Sequence, residues 1–278
     1  ELVLIKNTGA TLPLSRTGVK KVAVAGPNAN LSKAIAGYYG AGRPCVNKEG
    51  GQYPNMVDSI GFYAAKAGGT VCTCASNGVK TVTTPDESHI ADAVAIAKGA
   101  DVDATVLVVG TDLSIAHEGH DATNMTLSPA QEELIKQVAA AAAKPIVVVV
   151  MSAVPLDISD VLTNDKVGAV VYAGQPSVQT LGVADVLFGA VSPAWRMVQT
   201  LYPSSVQHEL SIFDMNMRPG PSKVPRPDGQ GCKKAPPGTK SVPCSDGTKN
   251  GRCVPDVDCV LGTNPGRTHR FFTGQPVV

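Results

Sequence analysis

The sequence predicts an α/β sandwich, a mostly parallel sheet of five or six strands covered by helices, and three observations lead there. Short apolar runs recur without polar alternation, the mark of strands buried on both faces. Segments with helical spacing of apolar residues lie between them. Cap and turn signals then separate the two kinds of segment. Units of this kind repeat up to about residue 189.

Taken in order, residues 22–25 form a short apolar strand closed by Gly26-Pro27. Met56, Ile60, Tyr63, Ala64 and Ala67 share one helical face, and Gly68-Gly69 ends that helix. Thr84-Pro85-Asp86-Glu87 has the form of a capping box with proline at the first helical position, followed by Ile90, Val94 and Ala97. Residues 105–109 are a continuous apolar strand. Ser128-Pro129-Ala130-Gln131 is a second capping box, opening a helix through Leu134, Ile135 and Val138. Residues 146–151 and 169–172 are two more buried strands, and residues 183–188 are the end of a helix. Trp195 reads as core.

That architecture localises a site. In open parallel sheets, ligands bind outside the carboxyl ends of the strands. The loops concerned cover residues 26–30, 111–124, 152–160 and 174–181. The second is the polar one, with Asp112, His117, Glu118, His120 and Asp121 close together. Asp112, directly after a strand, suits a turn cap, and Asp157 and Asp160 stand where helix-start residues would. His117-Glu118-Gly119-His120 is one residue short of the H-E-x-x-H pattern that sets two histidines on one helical face. We therefore expect no metal and read the cluster as loop polarity. Gly26-Pro27-Asn28-Ala29-Asn30 follows a strand but is no G-x-G-x-x-G, so nucleotide binding is rejected and no cofactor is expected.

Bulk properties exclude other classes. Lys plus Arg is 24 against Asp plus Glu at 23, a net charge of +1, without the basic excess that nucleic acid or an anionic membrane rewards. No stretch reaches the roughly 20 apolar residues of a transmembrane helix. Aromatics are 4%, low for a stand-alone sugar-binding module. The opening Glu1-Leu-Val-Leu-Ile5 carries no charged region or small-residue cleavage site, so we expect a processed or excised segment rather than the start of a precursor.

Cys232, Cys244, Cys253 and Cys259 crowd a stretch dense in Pro, Gly and Lys that has no core-forming periodicity. Disulfides are the usual remedy for such a stretch, and none of the spacings is the C-x-x-C of a zinc site. Two disulfides among the four are expected. Two of Cys45, Cys72 and Cys74 are free to pair, leaving one odd. The sequons Asn30-Leu31-Ser32 and Asn124-Met125-Thr126 fit the same oxidising, extracellular compartment, with Asn124 the better acceptor because it lies in a long polar loop.

At this point the residues resemble a family. Glu1-Leu-Val-Leu-Ile-Lys-Asn-Thr-Gly9 and Leu12-Pro-Leu14 resemble the segment joining the catalytic barrel to the second domain in family 3 glycoside hydrolases. Lys21-Val-Ala-Val-Ala-Gly-Pro-Asn28 resembles that domain's first strand and turn. Val108-Val-Gly-Thr-Asp-Leu-Ser-Ile-Ala-His-Glu-Gly-His-Asp121 is similar to its acid/base loop, with residues 127–134 as the helix entry. Ala184-Asp-Val-Leu-Phe-Gly189, Asp214-Met-Asn-Met-Arg-Pro219 and Pro265-Gly-Arg-Thr-His-Arg-Phe-Phe-Thr-Gly274 complete the set, the last two pointing to the β-xylosidase-like branch. On this resemblance residues 1–20 are a joining segment, 21–218 the α/β sandwich, 219–263 a disulfide-bonded insertion, and 264–278 a return to the family pattern.

The resemblance implies a retaining mechanism with two carboxylates. An aspartate on the barrel would be the nucleophile, and a glutamate of this domain would protonate the leaving oxygen. Relatives read Ser-Ile-Glu-Ala-Glu-Gly in the loop, whereas this chain reads Ser114-Ile-Ala-His-Glu-Gly119, with Ala116 at the first glutamate's position. Glu118 is then the candidate acid/base, and Asp112, His117, His120 and Asp121 are candidate binding residues. The turn Gln175-Pro-Ser-Val-Gln-Thr-Leu181 replaces a glycine-rich one, and Trp195-Arg-Met-Val-Gln-Thr200 lacks the family's proline. Three function classes follow. The chain is a degenerate glycosidase domain inactive alone, a processed subunit of a β-xylosidase or β-glucosidase whose barrel is a separate chain, or a non-enzymatic assembly protein of an extracellular structure. The partners implied are a barrel-domain chain or an extracellular assembly partner, together with a carbohydrate.

Overall fold

The computed structural model describes residues 2–31, 54–176, 180–197, 200–211, 213–225 and 261–267. The chain divides into two compact units at Arg196 and Met197.

In the first unit a six-stranded sheet runs in the order β1-β6-β5-β4-β2-β3. The strands are β1 (Val3–Asn7), β2 (Lys21–Ala25), β3 (Thr70–Cys72), β4 (Ala104–Gly110), β5 (Ile146–Met151) and β6 (Val167–Gly174). All pair in parallel except β1, which lies antiparallel to β6 at the edge. The α/β expectation therefore holds, with a mixed but mostly parallel sheet. Every residue of β4 and β5 is buried, as their unbroken apolar runs require.

The helices are α1 (Met56–Lys66), α2 (Ile90–Ala97), α3 (Pro129–Ala141), α4 (Ser159–Thr163) and α5 (Leu181–Leu187). The connection from β2 to β3 runs one way along the sheet, while those from β3 to β4, β5 and β6 run the other way. Right-handed crossovers therefore set α1 on one face and α2, α3 and α4 on the opposite one. Met56, Ile60 and Tyr63 of α1 and Val183, Leu187 and the adjoining Phe188 close one core over Val24, Val106, Val149 and Val171. Tyr63 stacks on Phe188 at 4.6 Å, and its hydroxyl donates to Asp185 at 2.6 Å. Burial first, then that hydrogen bond, push the Tyr63 hydroxyl up to about 12.

Three local readings are corrected. Helix α2 begins at Ile90, one turn after the capping box read at Thr84. Thr84 Oγ1 accepts from the Asp86 N–H and Asp86 Oδ1 from the Ser88 N–H, so these side chains close turns instead of starting a helix. Helix α3 does begin at Pro129, but no capping box forms, because the Gln131 side chain turns into the core. Trp195 is 56% exposed, in the irregular stretch past α5 rather than under the sheet. Cys72 and Cys74 are free thiols, and burial leads in raising both, Cys74 to about 11. Cys45, Cys232, Cys244, Cys253 and Cys259 lie outside the described residues.

The second unit holds α6 (Val206–Glu209) and an antiparallel pair, β7 (Gly220–Pro225) with β8 (Leu261–Asn264). Two sequence motifs meet here. Asn264 Nδ2 donates to the Asn216 carbonyl at 2.6 Å, and the Arg267 N–H donates to the Met217 carbonyl at 3.1 Å. Burial by itself would raise the Asp214 carboxyl. Hydrogen bonds from Ser222 and the Asn216 N–H, with the Arg267 charge nearby, hold it below the usual carboxylate value instead.

Candidate functional site

The strand order reverses between β2 and β4, so the crevice where such sheets take ligands is bounded by the loops after those two strands. The turn after β2 depends on Gly26, at φ +105°, where a Cβ would collide with the Val108 carbonyl. That close approach lets the Asn28 N–H donate to Val108 O at 3.2 Å, while Asn28 Nδ2 donates to Thr111 O at 3.0 Å. Both loops are thus tied together by one buried side chain. Asn28 Oδ1 is buried with no hydrogen-bond partner among the described residues.

The ends of β4, β5 and β6 are tied in the same manner. Thr111 and Ser152 hydroxyls lie 2.8 Å apart, Ser152 Oγ reaches Val154 O at 2.7 Å, and Tyr172 OH donates to Val154 O at 3.2 Å. Gln131 closes the network from α3. Its Oε1 accepts from the Gly110 N–H at 2.8 Å, and its Nε2 donates to the carbonyls of Gly110 and Val82, each at 3.1 Å. Gln131 and Asn28 carry the geometry of the site's floor. Neither stood out by type, because an amide three residues into a helix reads as a cap and an asparagine after Gly-Pro reads as a turn.

Residues 111–124 rise from this floor. Asp112 Oδ1 accepts from the Ser114 N–H at 2.8 Å and from its hydroxyl at 2.5 Å, so Asp112 caps a turn. Ala116 is half-buried. His117 and His120 then exchange backbone hydrogen bonds of 3.0 and 2.9 Å, making residues 117–120 a tight turn with Gly119 at φ +78°. Glu118 stands at the tip, exposed, with no hydrogen bond to its carboxylate among the described residues. Asp121 is exposed beyond the turn. The structure thus brings together His117, Glu118 and His120 and leaves Asp112 to a local task. Asn124 is exposed, its Oδ1 accepting from the Thr126 N–H and hydroxyl at 3.0 and 3.1 Å. Asn30 is also exposed, but its amide nitrogen donates to Asn77 Oδ1 at 3.3 Å.

Fold and geometry together define a doubly wound α/β domain whose candidate site is the loop after β4. The profile described as the glycosyl hydrolase family 3 C-terminal domain matches residues 2–230, and the chain belongs to that family. It is 35% identical over 223 residues to Beta-D-xylosidase 3 of Arabidopsis thaliana, covering 80% of this chain and 26% of that protein. Probable beta-D-xylosidase 6 of the same plant is 31% identical over 278 residues, covering 99% of this chain and 28% of that protein. A solved family 3 exo-β-xylosidase, in complex with a xylobiose aziridine activity-based probe, superposes with a TM-score of 0.67 at 27% identity. That superposition covers 99% of this chain and 28% of the other. The chain thus spans about a quarter of the length of the curated relatives it matches.

Proposed function

We propose that these residues are the second domain of a β-xylosidase- or β-glucosidase-type O-glycosyl hydrolase, and that on their own they turn over no glycoside. The support is chemical. Retaining hydrolysis uses two carboxyl groups roughly 5 Å apart, one as nucleophile and one as proton donor. By the family resemblance the nucleophile belongs to the barrel domain. Ala116 stands where relatives have the first glutamate, and methyl cannot donate a proton. Glu118 is the one glutamate left in the motif, and its exposed place at the turn tip is the observation that carries this reading. A general acid works when its surroundings hold it within reach of the leaving oxygen, and losing it costs about 10²–10⁴ in rate. No neighbour among the described residues holds Glu118. Carbohydrate and a barrel-domain chain are its natural partners on this reading. The sequons and the cysteine-rich 219–263 stretch support a secreted glycoprotein with a disulfide-bonded insertion.

The purified chain, assayed on aryl β-xylosides and aryl β-glucosides, should release no aglycone, and Glu118→Gln should change nothing. Release that Glu118→Gln abolishes would overturn the proposal. Mixing with a family 3 barrel domain is the second arm. We expect no rescue, and rescue dependent on Glu118 would favour an enzyme subunit whose barrel is a separate chain.

A further inference from the structure

We propose that His117 and His120 form a two-histidine site for a divalent transition-metal ion at the head of the 111–124 loop. The ground for setting metal aside in the sequence is that His117-Glu118-Gly119-His120 falls one residue short of the helical H-E-x-x-H pattern. The structure removes that ground, because residues 117–120 are a turn. His117 and His120 face one another as a hydrogen-bonded antiparallel pair, N–H to carbonyl at 3.0 Å and 2.9 Å. Directly opposed residues send their side chains to the same side. The imidazoles accordingly stack, with centroids 5.1 Å apart and planes at 20°. Gly119 supplies the left-handed corner that a bulkier residue would strain, so the pairing is set before any ion arrives.

The proton arrangement also suits ligation. His117 Nδ1 lies 2.9 Å from the Leu113 carbonyl, which can only accept, so Nδ1 donates and in the neutral ring Nε2 is left with its lone pair. A backbone carbonyl on the other ring nitrogen is the support that metal-binding histidines ordinarily have. The ring of His120 has no hydrogen-bond partner among the described residues, and both side chains are exposed to an arriving ion. Nitrogen–metal bonds are about 2.0–2.1 Å, so the rings must tilt toward each other from their stacked position. That motion is open to exposed side chains. Among the described residues no group of three or more His, Cys, Asp or Glu could hold a metal ion, so the pair offers two protein ligands. Water therefore completes the shell, and the site is open and exchangeable. Two imidazoles select borderline ions such as Ni²⁺, Cu²⁺ and Zn²⁺ over Mg²⁺ and Ca²⁺. A bound ion would staple the turn that presents Glu118.

Calorimetric titration of the full chain with Ni²⁺ tests this without any turnover assay. One equivalent should bind, and His117→Gln and His120→Gln should each weaken binding at least tenfold. His89→Gln and His208→Gln should leave it unchanged. Mg²⁺ should not compete. Both test positions are exposed, so their variants should keep the parent circular dichroism spectrum. Ring proton resonances offer a second readout: substoichiometric Ni²⁺ should broaden those of His117 and His120 before any other histidine. No binding up to millimolar Ni²⁺, or undiminished binding in the doubly substituted chain, would overturn the site.

Discussion

Gln131 is polar by type and core by position, and the energetics of the site's floor gather on it. Its amide meets the N–H and carbonyl of Gly110 and the carbonyl of Val82. Leucine would fill the volume yet leave those backbone groups buried without partners, at about 1–3 kcal/mol for each group stranded. Gln131→Leu should therefore lower unfolding stability by about 3 kcal/mol, read as a shifted urea midpoint at unchanged slope. A shift below half that size would mean water reaches Gly110. Tyr63 offers a pH signature. Its hydroxyl is raised from 10.0 to about 12 in the folded chain. A raised value favours the neutral form in the fold, so this contribution is whole below pH 10 and fades as pH rises toward 12. Tyr63→Phe should be the less stable below pH 10, and the gap between the two proteins should narrow above it.

Elements show where local signals meet competition. The strands β4 and β5 match their sequence readings closely, since an unbroken apolar run has one use in a sheet covered on both faces. Helix α2 starts late because Thr84 and Asp86 had turns of their own to close. Strand β1 comes from residues read as a joining segment, and it takes the sheet's edge beside β6. Its Lys6 reaches across to the end of α4, donating to the carbonyls of Leu162 and Asn164 at 2.8 and 2.9 Å. A cation on the last carbonyls of a helix both satisfies them and complements the dipole. Lys6→Met keeps the apolar stem and removes the charge, and should cost about 2 kcal/mol, measurable by denaturant unfolding. An unchanged midpoint would show that those carbonyls prefer water.

At the scale of the whole molecule, the carboxyl end of the parallel strands gathers the loops that follow them. Parallel strands deliver residues 26–30, 111–124 and 152–160 to the same end, so changes far apart in sequence act on one surface. That end also carries Asn124, in the open, while Asn30 has its amide nitrogen engaged by Asn77. Material from a secreting eukaryotic host should carry an N-glycan on Asn124 at higher occupancy than on Asn30, by peptide mass spectrometry, and Thr126→Ala should abolish it. Both asparagines unmodified would count against the extracellular reading as well. The same mapping under non-reducing conditions should find Cys232, Cys244, Cys253 and Cys259 in two disulfides.

The sequence by itself determined the fold class, the positions of the buried strands and the family, and it pointed to the polar loop at 111–124 as the candidate site. Each rests on patterns that short-range chemistry makes explicit: period, cap, glycine, motif order. Only the tertiary structure decided what the polar residues do. Gln131 reads as a cap until β4 stands beside it, and Trp195 emerges where core was expected. His117 and His120 illustrate the difference most sharply. Their spacing falls one residue short of the helical H-E-x-x-H pattern, and what pairs them is a tight turn held by a left-handed glycine and two backbone hydrogen bonds. Apolar residues declare themselves because burial follows type. A polar side chain has several satisfactory partners, and the packed chain alone selects among them.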